Sequence, residues 1–176
     1  MNNVSRRDFV KAASAVTAVT ATTLPTWAVQ EKRDPIKIGF IGCGGRGTGA
    51  ANQALTANDT AVIWAMGDTF DDRLTSSLNS LVGEKGARAE VPKERQFIGF
   101  DAFQKVIDSG VDVVILTTPP AFRPQHLEYA IEKGVHCFFE KPVAVDAPGV
   151  RKVIELARKA KEKNLSFMSG FCWRHH

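Results

Sequence analysis

The hexapeptide Gly42-Cys43-Gly44-Gly45-Arg46-Gly47 follows the apolar run Ile36-Lys37-Ile38-Gly39-Phe40-Ile41 and opens a stretch rich in alanine. Such a string permits few folds: a strand must leave into a sharp turn, and a helix must start at once. In that context it reads as a dinucleotide-binding fingerprint, with a mechanical reason for each glycine. Gly42 lets the chain turn off the strand, Gly44 lets backbone N–H groups approach a pyrophosphate, and Gly47 lets helix and strand pack closely. The helix N-terminus then faces the phosphates with the positive end of its dipole. A tight strand-to-helix turn without a ligand would use the same residues, so the rest of the chain decides between the two.

A chain of 176 residues has room for one domain with a proper core, and not for two of ordinary size. Its 44% hydrophobic and 24% charged residues place it among globular proteins rather than disordered ones. The formal charge falls from +4 to +2 once the three cations and one anion of the first 28 residues are set aside. That is no nucleic-acid footprint, and no basic stripe interleaved with aromatics is present. Those first residues have their own logic. Ser5-Arg6-Arg7-Asp8-Phe9-Val10-Lys11 precedes a weakly apolar run from Ala12 to Leu24, and Thr26-Trp27-Ala28 offers a small-x-small cleavage site. This order of parts resembles a twin-arginine export signal over residues 1–28. The run is shorter than the roughly 20 residues of a spanning helix, so no stable membrane anchor is expected. The expected destination is the periplasm or beyond, through the twin-arginine export machinery. That route carries folded proteins, which suits a chain that loads its cofactor in the cytoplasm.

Past residue 28, apolar runs alternate with helical patterns, the signature of a parallel sheet with crossover helices. Strands are predicted at 36–41, 61–66, 96–98, 112–117, 135–139 and 165–169. Most are continuous apolar runs, as for strands covered on both faces. Apolar residues at 150, 153, 154, 157 and 160 mark a helix, with Asp146 as its cap and Pro148 in its first turn. The charged, glycine-bearing stretch 82–95 reads as a surface excursion. The fold class is α/β, a Rossmann-type doubly wound parallel sheet.

Three positions beyond the glycine turn bear chemistry. Asp68 lies 21 residues after Gly47, directly behind the second apolar run, where an acid can accept bonds from both ribose hydroxyls. A carboxylate there repels a 2′-phosphate and favours NAD over NADP, although Arg73 nearby leaves room for NADP; capping the next helix is its alternative role. Thr117-Thr118-Pro119-Pro120 ends the fourth run at the sheet edge where ligands bind, or is simply a rigid turn into the helix containing His126. Glu140-Lys141-Pro142 ends the fifth and brings an ammonium and a carboxylate to the same edge. Partial burial would tune such an ammonium toward proton transfer, whereas a surface salt bridge would be the structural alternative. Cys43, Cys137 and Cys172 lack the spacing of a metal site or a disulfide framework, and no metal is expected.

In this order Gly42-Cys43-Gly44-Gly45-Arg46-Gly47, Asp68, Thr118-Pro119 and Glu140-Lys141-Pro142 resemble the Gfo/Idh/MocA oxidoreductases, especially their exported members, over residues 34–176. The resemblance implies an NAD(P)-dependent enzyme acting on a sugar or cyclitol, with Lys141 catalytic and Lys141-Pro142 in cis. It implies cofactor contacts from Gly42, Gly44, Gly45, Arg46, Gly47, Asp68, Thr118, Pro119, Glu140 and Lys141. The family also includes exported NAD-using glycosidases. Pro120 stands where the family often has Asn, and His126 falls later than usual, so His126 is not taken as a ligand. The expected division is the signal, an NAD(P)-binding domain at 34–170, and at 171–176 the start of a truncated second α+β domain. Two expectations follow: an oxidoreductase completed by further sequence, or a non-catalytic nucleotide-binding domain. Family oligomers form largely through that second domain, so a monomer or weak association is expected, with the oligomeric state otherwise open.

Overall fold

The computed structural model describes residues 34–174; the export signal, His175 and His176 lie outside the described residues. In chain order the elements are β1 (Ile36–Ile41), α1 (Gly45–Ala57), β2 (Ala61–Asp68), α2 (Asp71–Lys85), β3 (Gln96–Ile98), α3 (Ala102–Asp108), β4 (Val113–Leu116), α4 (Arg123–Glu132), β5 (His136–Phe139), α5 (Ala147–Glu162) and β6 (Phe167–Ser169). All five strand pairings are parallel, and the sheet order is β3-β2-β1-β4-β5-β6. The chain starts in the middle of the sheet, winds outward to β3, then returns to the other side of β1. That reversal between β1 and β4 opens a crevice at the carboxyl ends of the strands.

Both faces of the sheet are covered, which is why the strands are apolar without alternation. On one face Ala50, Ala51 and Leu55 of α1 and Leu74 and Leu81 of α2 pack against Ile38, Phe40 and Met66. On the other, Phe103 and Val106 of α3, Leu127 and Ile131 of α4, and Val153 and Leu156 of α5 pack against Ile41, Leu116 and Phe139. Where β1 passes β2 the register slips between Ile38 and Gly39, so that Trp64 has no partner on β1. Its indole N–H donates instead to Ser109 O at 2.8 Å, and Lys37 and Arg95 lie over its ring.

Helix α5 begins as expected. Asp146 caps it, its Oδ1 accepting from the Gly149 N–H at 2.7 Å, and a proline occupies the first turn. Its buried stripe is narrower than the apolar pattern suggests: Val153, Leu156 and Ala160 are buried, while Val150 and Ile154 are exposed. The stretch 82–95 differs from a surface excursion. It completes α2 and forms two short 3₁₀ turns, Gly86–Ala89 and Lys93–Arg95, with Ala89 and Val91 buried in the core. Arg88 reaches back to Leu55 O and Asn58 O at the end of α1, satisfying carbonyls that the helix leaves open. Among the described residues no helix is long and apolar enough to cross a membrane.

Candidate functional site

A cleft of about 590 Å³ opens along the carboxyl ends of β1 to β5. Each strand delivers residues to it directly after its last residue: Gly42 after β1, Thr69 after β2, Gly99 after β3, Thr117 and Thr118 after β4, Glu140 and Lys141 after β5. The sheet order thus brings together residues nearly 100 positions apart in sequence.

The glycine turn behaves as its spacing predicts, residue by residue. Gly42 has φ +94°, its N–H donates to Gly67 O at 2.9 Å, and the Thr117 hydroxyl donates to its carbonyl. A Cβ on Gly47 would lie 2.1 Å from Gly42 O, so only glycine allows α1 to sit against the strand. Gly44, which lines the cleft, and Gly45 are unobstructed by contrast. A Cβ on Gly44 would meet only the Arg73 guanidinium, 3.7 Å away, and one on Gly45 nothing within 4 Å. This is a bare backbone cradle, and the Gly44 N-cap offers no side chain to the N–H groups of α1's first turn. With no acidic residue in that turn, the helix end suits an anion such as a pyrophosphate. NAD therefore fits the residues present.

Asp68 closes β2 and lies at the cleft. Its Oδ2 accepts from the Cys43 N–H at 2.6 Å and its Oδ1 from the Phe70 N–H at 3.0 Å. The second contact is a local turn of the kind aspartate makes two residues ahead. Phe70 stands at the N-cap of α2 and the helix has no side-chain cap, so Asp68 does not cap it. A carboxylate has about four acceptor positions, and two remain for a diol.

On the other side of the turn, Arg46 and Glu140 form an ion pair across the crevice. Arg46 Nε and Nη2 both donate to Glu140 Oε1, at 2.7 and 2.6 Å. Glu140 is buried beneath Gly170, where a Cβ would come within 3.0 Å of its carboxylate. The salt bridge at this edge thus joins Glu140 to Arg46. Lys141 forms no ion pair among the described residues and is exposed, so the partial burial expected for it is not provided here. The Lys141-Pro142 peptide is cis. Pro119 lines the cleft and its carbonyl accepts from the Phe122 N–H at 3.1 Å, so Thr118-Pro119-Pro120 is both a wall and a turn.

His126 is buried, stacked on Phe103 with ring centroids 4.2 Å apart, and its Nδ1 lies 3.3 Å from Thr118 Oγ1. Burial, aided by the nearby Arg123 charge, pushes its pKa down to about 4, so the ring is neutral at pH 7. Burial likewise pushes the Cys137 thiol up to about 12 and raises that of Cys43, which agrees with packing roles for both.

Two features of the cleft escape sequence reasoning. Phe70, Phe100 and Phe122 stand exposed on its rim, and Arg123 is almost wholly buried in its wall. The phenylalanines come from three separate loops and share no spacing. Arg123 is flagged only by a cation placed directly before Pro124 at a helix start, a weak signal.

Comparison with known proteins agrees with this geometry. The model of the Gfo/Idh/MocA oxidoreductase family, NAD-binding Rossmann fold, matches residues 36–171. That of the twin-arginine translocation signal matches residues 3–23, and such a signal directs export to the periplasm. A glycosyl hydrolase family 109 protein of Shewanella baltica is 28% identical over 97% of this chain and 40% of its own length. The alpha-N-acetylgalactosaminidase of Shewanella oneidensis is 27% identical over the same shares. Among solved structures, scyllo-inositol dehydrogenase from Lactobacillus casei with bound NAD(H) and scyllo-inositol has a TM-score of 0.63 at 26% identity, over 81% of this chain and 38% of that one. The chain therefore spans about 40% of the length of the curated relatives it matches. With the glycine cradle, the parallel sheet and the family match in agreement, this exported chain belongs to the Gfo/Idh/MocA oxidoreductases through its NAD-binding Rossmann domain.

Proposed function

We propose that the chain provides the NAD site of an exported oxidoreductase that acts on a hydroxyl of a sugar or cyclitol, with Lys141 assisting proton transfer. The observation that supports this most is the pairing at the β5 edge. Glu140, next to Lys141 in the chain, pairs with Arg46, and Lys141 lines the cleft without an ion partner among the described residues. NAD, when bound, supplies the hydride acceptor. Gly44 and Gly45 would admit its pyrophosphate, and Asp68 would receive the adenosine ribose and disfavour a 2′-phosphate by like charge. Lys141 Nζ, acting as the neutral amine, would accept the proton of the substrate hydroxyl and become the ammonium as the hydride leaves. Thr118 and Pro119 wall the same end.

The test is NADH formation from NAD with a panel of sugars and cyclitols. Lys141→Ala should lower turnover at least about a hundredfold while leaving the NADH affinity within about twofold. Full turnover in that variant would remove Lys141 from the chemistry. A second reading, an NAD-dependent glycosidase, is favoured by the hydrolase names of the curated relatives. It predicts release of nitrophenol from a nitrophenyl N-acetylgalactosaminide with no net accumulation of NADH, whereas the dehydrogenase reading predicts accumulation.

A further inference from the structure

Arg123 is 2% exposed, the most buried basic side chain of the described residues, and it makes no ion pair among them. It opens α4, where the positive end of the helix dipole disfavours a cation, and burial further disfavours its charge. An apolar side chain of the same volume would fill the space at lower electrostatic cost. What it would not do is bind two carbonyls. Arg123 Nη1 donates to Pro142 O, behind β5, and Nη2 donates to Thr118 O, behind β4, while Nε has no partner. One planar guanidinium thus joins the two loops whose neighbouring residues, Thr118 and Lys141, face the cleft.

The place of this fork in the site follows from the topology. The glycine turn after β1 would hold the pyrophosphate and Asp68 after β2 the adenosine ribose, which leaves the residues after β4 and β5, on the other side of β1, for the nicotinamide half. Resting on the NAD reading above, we infer that Arg123 is a positioning residue: its two-pronged hydrogen bond fixes the Thr118 and Lys141 loops relative to each other at the nicotinamide end of the cleft. Lysine cannot replace it, because a compact ammonium lacks the rigid fork that spans both oxygens.

The experiment compares two ligands by calorimetric titration of the full chain, NADH and ADP-ribose, which lacks the nicotinamide. Arg123→Lys keeps the charge and loses the fork; Arg123→Met keeps the volume and loses both. Each is expected to weaken NADH binding at least about tenfold and to leave ADP-ribose within about twofold. NADH binding unchanged, or both ligands lost in proportion to a fallen melting temperature, would overturn the inference. Should neither variant fold, the unaltered chain decides by NMR. The Arg123 Nη protons should exchange slowly and shift on adding NADH, but not on adding ADP-ribose; exposed-like exchange, or shifts indifferent to the nicotinamide, would overturn it. An unaltered chain that bound neither ligand would instead remove the NAD reading, and this inference with it.

Discussion

Gly45 and Gly47 stand two residues apart and answer to different demands. Alanine at 47 would press its methyl into Gly42 O, so Gly47→Ala should cost more than about 3 kcal/mol in urea unfolding or prevent folding altogether. Alanine at 45 meets open space inside a helix. Gly45→Ala should leave stability unchanged or raise it by up to about 1 kcal/mol, whereas Gly44→Ala, at a position that lines the cleft, should weaken NADH at least about tenfold. His126 gives a pH signature. Its unfolded ring takes up a proton below pH 6.5 and its folded ring only near 4, so the unfolded state binds more protons between these values. The contribution is fully present above the unfolded pKa and is lost as pH falls to the folded one, by on the order of 1 kcal/mol per pH unit. Urea midpoints across that window should fall for the unaltered chain, and the His126 part of the slope should vanish in His126→Leu. At this scale the sequence reveals glycines well, since sterics act on neighbours in the chain. It conceals Arg123 and the Arg46–Glu140 pair, whose partners are carbonyls and carboxylates from distant loops.

Helix α5 shows what elements declare and what they withhold. Its cap is readable because Asp146, the proline and the apolar spacing all point to the same first turn. Asp146→Ala should therefore cost about 1 kcal/mol, measured by thermal or urea unfolding. The width of its buried face is not readable, because Val150 and Ile154 have the polarity of core residues but no neighbour to cover them among the described residues. The stretch 82–95 errs in the opposite direction. Its charges and glycines suggest solvent, whereas Ala89 and Val91 anchor it and Arg88 spends its guanidinium on the end of α1. Composition averages over such a segment, and two apolar anchors outweigh it.

At the scale of the whole molecule, the alternation of apolar runs and helical patterns gives the doubly wound sheet, since parallel strands require crossovers and these have one hand. The crevice follows from strand order, and the glycine turn, Asp68, Thr118 and Lys141 all arrive at it from separate strands. Its aromatic rim is set only by loop conformations, which propensity does not specify. Whether this crevice takes NAD is decided by a fluorescence titration of the full chain with NADH. Saturable binding with one NADH per chain is expected, the nicotinamide emission changing as the site fills. A chain with intact circular dichroism and a cooperative melt that leaves NADH emission unchanged would contradict it.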